Sequence, residues 1–252
     1  MLRLIFIAVC LATRVLAAEV SRNDALLAAQ AAERAFDAPR ALEHYLAAEK
    51  AGPPDAAVLQ KIARQYSDLS SEQSTREAQR AYAERALEYA RRAVELEPQN
   101  AVYALSVAIA YGKLALASDT REKVRYSRLV REQAGRALAF DPGYAWAHHI
   151  LARWHLEVAK LGAASRAVVG LFYGGLPSAS VAEAVRHLER AVELEPGELQ
   201  HHLELGVAYV TAGQPAKARA SFEKGLALPS TARIDAPAKA RAREALARLP
   251  QP

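Results

Sequence analysis

Apolar residues recur along this chain at helical spacing, in long stretches broken by short polar, proline or glycine segments. Val58, Leu59, Ile62, Ala63 and Tyr66 are one such stripe. The pattern predicts helices in pairs: Asn23–Asp37 with Pro39–Ala51, then Asp55–Leu69 with Ser74–Glu97. Asn100–Ala117 follows with Asp119–Phe140. A fourth pair occupies 143–196, and the fifth is Glu198–Ala212 with Pro215–Leu228. Asp37 and Asp119 read as caps, Ser74 with Glu77 as a capping box, and Gly213 and Pro215 as a stop and a start. A last charged helix, 235–249, has Asp235 as its expected cap. No alternating run bounded by turn residues suggests a strand.

The pairs repeat. An alanine followed five residues later by a proline occurs at Ala48/Pro53, Ala93/Pro98, Ala137/Pro142 and Ala191/Pro196, with proline spacings of 45, 44 and 54 residues. Each marks a closely packed helix that stops before a residue unable to continue it. Self-similarity at this period marks a solenoid. The expected fold is all-α, a right-handed superhelical solenoid of about five helix pairs with a capping C-terminal helix.

Composition changes the picture mainly at the N-terminus. Residues 1–18 combine a basic start, an apolar run and the small-residue exit Val15-Leu16-Ala17-Ala18. They read as a signal peptide cleaved near Ala17/Ala18, leaving 19–252 as the repeat domain of an exported, periplasmic or secreted protein. The apolar run is short for a spanning helix. The single cysteine, Cys10, lies within it, and Val9 fits poorly before a lipidated residue. A mature chain without Cys10 has no disulfide or thiolate chemistry. Without Arg3 and Arg14 the charge is 31 basic against 28 acidic side chains, well mixed, so no nucleic-acid partner is expected.

Leu205, Gly206, Tyr209, Ala218 and Phe222 match the tetratricopeptide pattern, with Gly225 where alanine is usual and Pro229 one residue early. Ala41, Tyr45, Ala48 and Pro53 match its second helix. Taken whole, residues 37–249 resemble the regulator of microtubule dynamics family. The resemblance rests most on ARWHLEVAKLG, on LFYGGLPSASVAEAVRHLERAVELEP, on RALEYARRAVELEP and on Glu132–Pro142. It implies a tetratricopeptide-like domain. Eukaryotic members are associated with microtubules, and one with organelle contacts and lipid binding. The leader and the Ala/Arg-rich composition suggest an exported bacterial relative, which would not meet microtubules.

Aligned on Tyr209, the inward positions of the first helices are candidates for a ligand or peptide groove: Arg64, Leu105, Ile109, Lys113, Trp146, His149, Arg153, Leu203 and Val207. Concave faces are the usual binding surfaces of such arrays. The asparagines of a carboxylate clamp are missing at these positions. The apolar insert 163–180, with Val169, Leu171, Phe172 and Tyr173, reads either as a lip for a partner or lipid, or as a short helix folded back before a Gly-Gly-Leu-Pro turn. The second is preferred, since large exposed apolar patches are uncommon. His148 and His155 share a helix face, with Glu157 nearby, but His149 is turned about 100° from His148 and His-Glu-x-x-His is absent, so no metal is expected. No nucleophile elbow or phosphate loop occurs, so neither an enzyme nor a cofactor is expected. The expected function is a non-enzymatic scaffold that holds a protein or peptide, with lipid binding or transfer as the alternative. The oligomeric state is left open.

Overall fold

The computed structural model describes residues 21–250; the leader-like residues 1–18 and Cys10 lie outside them. Among the described residues all regular structure is helical. The chain forms two compact units, divided between Pro98 and Gln99.

The first unit contains α1 (21–34), α2 (Ala38–Lys50), α3 (Ala56–Ser70) and α4 (Arg76–Leu96). Asp37 caps α2, accepting from the Arg40 N–H, with Pro39 in the first turn. Asp55 caps α3 through the Ala57 and Val58 N–H groups and also receives Arg22 at 2.8 Å. The α4 cap is Thr75 rather than Ser74: the Thr75 hydroxyl accepts from the Ala78 N–H. The expected box is therefore one residue out of register, and Glu77 lies in the first turn, where the helix dipole favours it. The carboxylate of Glu33 gathers the Tyr45 hydroxyl, Lys61 and Gln65, tying α1 to α2 and α3.

The second unit contains α5 (Ala101–Leu116), α6 (Thr120–Phe140), α7 (Ala145–Ala159), α8 (Ala163–Tyr173), α9 (Val181–Leu194), α10 (Leu199–Thr211), α11 (Pro215–Ala227) and α12 (Asp235–Ala247). Helix α5 pairs with α6, α7 with α9, and α10 with α11. The first helices α5, α7 and α10 also touch in that order, and α12 covers α10 and α11. The insert contributes α8, which packs on α6.

The four alanines that mark the repeat, Ala48, Ala93, Ala137 and Ala191, are all fully buried. In three of them the carbonyl accepts the last helical N–H, from Glu97, Asp141 and Glu195 respectively. Each of those C-cap residues has left the helical region, as the following proline requires. Around the last pairs, Leu156, Leu188, Leu199, Leu203, Tyr209 and Phe222 form one apolar cluster. A second cluster joins Leu105, Ala108, Ala134, Ala147 and Leu151.

Asp235 does not cap α12. It is the first residue of that helix, is fully buried, and accepts from the Thr231 and Ala232 N–H groups and from Gln200 Nε2. The carboxylate anchors the loop before α12 to α10.

Candidate functional site

The inward positions read from the sequence divide by burial. Leu105 and Leu203 belong to the two apolar clusters, and His149 is buried as well. These three offer almost no surface to a ligand, because the helices packed around them cover them. Arg64 is exposed, on α3 of the first unit, 3.9 Å from Asp68. On the second unit, Ile109, Lys113, Trp146 and Val207 are half-buried on α5, α7 and α10, while Arg153 and Val210 are exposed. Arg153 reaches across from α7 to Glu204 on α10 at 3.8 Å. Trp146 packs on His149 and on His201, with ring centroids 5.1 and 4.8 Å apart. The face is thus half-exposed apolar side chains with a charged pair across its middle.

The histidines of α7 meet partners that the sequence reading did not anticipate. Successive residues on a helix are turned by about 100°, and His148 and His149 use that turn to reach different neighbours. His148 Nδ1 lies 2.8 Å from His187 Nδ1 on α9, and His149 Nδ1 lies 3.0 Å from His201 Nδ1 on α10. Burial holds His148 and His149 below the usual histidine range. It pushes His187 and His201 down to about 4, helped by the Arg186 charge and by His202 respectively. These are neutral imidazoles at neutral pH.

His148 also donates Nε2–H to the carbonyl of Pro142 at 3.2 Å, and His202 does the same to Pro196 at 2.9 Å. Both histidines stand six residues after the repeat proline. This spacing was a signal in the sequence that only its structural role makes readable.

His155 lies beside His187 and Glu183, not beside Glu157: one ligand atom from each of His155, Glu183 and His187 falls within 4.8 Å of the others. They line a cavity of about 560 Å³ with Arg131, Leu151 and Ser180. Glu183 and His187 are four residues apart on α9 and so share a face.

The insert forms a helix folded onto its own unit, with its end held in place. Arg128 of α6 donates Nε–H to the Gly175 carbonyl at 2.8 Å and also bonds the carbonyl of Tyr173. Gly174 and Gly175 both take φ +73°, a left-handed turn that glycine adopts without strain. Val169 is the residue that packs inward, and Tyr173 is half-buried. Leu171 and Phe172 are 79% and 69% exposed, and Val168 is also exposed, so a helix that folds back still presents an apolar edge.

These repeated helix pairs, closed by a buried alanine and a proline, define an all-α tetratricopeptide-like repeat protein. The chain belongs to the family described as Regulator of microtubule dynamics protein 1-3, whose profile matches residues 20–250. It is 27% identical over 139 residues to Regulator of microtubule dynamics protein 3 of Xenopus laevis, covering 55% of this chain and 30% of that protein. It is 23% identical over 142 residues to Regulator of microtubule dynamics protein 1 of Caenorhabditis elegans, covering 56% and 63%. The chain therefore spans about a third of the frog relative and under two thirds of the nematode one. Among solved structures it is similar to a thermophilic TPR protein of Thermus thermophilus. The TM-score is 0.67 at 20% identity, covering 90% of this chain and 99% of that one.

Proposed function

We propose that the protein is a non-enzymatic interaction scaffold whose second unit holds a protein or peptide segment along the face of α5, α7 and α10. The observation that carries this reading is the row of half-exposed apolar residues Ile109, Trp146 and Val207, extended by exposed Val210 and flanked by Arg153. Apolar anchors beside a charged side chain suit an extended or helical segment with an acidic residue. The regulators of microtubule dynamics supply the family. With the export expected from residues 1–18, the proposed partner is one met outside the cytoplasm.

The test is a pulldown from the native host with the mature chain, repeated with Arg153→Glu and Val207→Asp. Both positions reach solvent, so both variants are expected to fold. Loss of the same partner in both supports the face; retention in both removes it. Native mass spectrometry with organic extraction of the same sample reads out the lipid alternative. A stoichiometric lipid there would replace the peptide reading.

A further inference from the structure

We propose that His155, His187 and Glu183 form a binding site for one divalent transition-metal ion of the zinc class, on the wall of the second unit's cavity. Two imidazoles and one carboxylate are a donor set that suits zinc and leaves a coordination position open. Donors on a tetrahedral ion with bonds of about 2.0–2.1 Å stand roughly 3.3 Å apart. The three groups, within 4.8 Å of one another, need only a modest contraction. The Glu183 side chain is 46% exposed and supplies the slack, while His155 and His187 are set on packed helices.

The hydrogen-bond chain behind His187 fixes which nitrogen faces the site. The Pro142 carbonyl can only accept, so His148 carries its proton on Nε2 and its Nδ1 is an acceptor. His187 must then donate Nδ1–H to His148, which leaves the Nε2 lone pair of His187 free to bind a cation. A ring whose second nitrogen donates to a fixed acceptor is the arrangement that orients metal-binding histidines. His155 is less firmly committed: the Ser180 N–H reaches its Nδ1 at 3.4 Å, a weak bond.

A cation already sits against these donors. The Arg186 guanidinium lies 2.5 Å from the Glu183 carboxylate and 3.4 Å from His187 Nε2. Arg186 is well exposed and can swing into solvent when a metal takes its place.

Titrating the full chain with Zn²⁺ by calorimetry, and with Co²⁺ by visible absorption, tests the site. One ion per chain is expected. Glu183→Gln is expected to weaken binding about tenfold or more, and His155→Ala with His187→Asn to abolish it, with helical circular dichroism retained. Glu157→Gln, an exposed carboxylate on α7 outside the site, is expected to leave it unchanged. Arg186→Gln removes the competing guanidinium and is expected to tighten binding several-fold. No saturable binding in either the wild-type chain or Arg186→Gln overturns the site. So does binding that Glu183→Gln and the double histidine variant leave intact.

Discussion

Gly206 of α10 faces the ring of Phe222 on α11 so closely that a Cβ at position 206 would lie 2.5 Å from two ring carbons. Phe222 is fully buried. The contact is the reason a glycine and an aromatic stand where the repeat pattern places them: the missing side chain of one is the space the other fills. Gly225 works in the same way, since a Cβ there would meet Leu203 Cδ2 at 2.5 Å. Its departure from the usual alanine accommodates a larger neighbour.

Gly206→Ala is accordingly expected to destabilise the second unit by about 1–3 kcal/mol, the range for overpacking a tight core. Phe222→Ala is expected to cost about 3–5 kcal/mol through the cavity it leaves. Phe222→Leu combined with Gly206→Ala is expected to cost less than Gly206→Ala and Phe222→Leu, each measured alone, added together. Urea denaturation of the wild type, the two single variants and the double variant measures the coupling; strict additivity would show that the two residues do not share this space.

The paired histidines make stability depend on pH. An unfolded histidine titrates near about 6.5, whereas burial holds His187 and His201 at about 4 in the folded chain. Between these values the unfolded chain takes up protons that the folded chain refuses, so stability falls as the pH falls through this window. Near pH 5 the loss is on the order of 2 kcal/mol for each such histidine. Denaturation midpoints at about pH 7.5 and pH 5 check this, with lower stability expected at the acid end. Equal midpoints would contradict the buried, neutral pairs.

Asp235 ties three donors while fully buried, so truncating it leaves them without a partner. Asp235→Ala is expected to cost about 3 kcal/mol or more. Asp235→Asn keeps one acceptor oxygen and is expected to cost less. Thermal unfolding ranks the two, and amide exchange should localise the damage to α12 and the loop before it.

Arg128 is the clasp that holds the end of α8. Arg128→Met keeps the packing stem but removes the bonds to the carbonyls of Tyr173 and Gly175. Faster amide exchange is expected across 163–175, with little change in α6. Leu171→Ser and Phe172→Ser, at the exposed edge of the same helix, are expected to change stability by less than about 0.5 kcal/mol.

Much of the helical pairing was legible from residue spacing alone. The stripes, the alanine–proline ruler and the caps Asp37 and Asp119 are local features, set by backbone sterics and by hydrogen bonds within a few residues. Caps that depend on a register of one residue were less secure, as Thr75 shows. Asp235 was misread because its partners include Gln200, which is 35 residues away and visible only once α10 and α12 pack together.

The surface was decided by tertiary contact. A first-helix position looks the same in sequence whether a neighbouring helix covers it or not, so Leu105, Leu203 and His149 could not be told from Ile109, Val207 and Arg153. The histidines were visible, but their partners were not. His148 and His149 point to different helices, and His155 meets Glu183 and His187 across a gap in sequence that only the packing of α7 against α9 closes. Local stereochemistry determined the helices and where they end; which faces stay open, and which side chains meet, depended on how the helices pack.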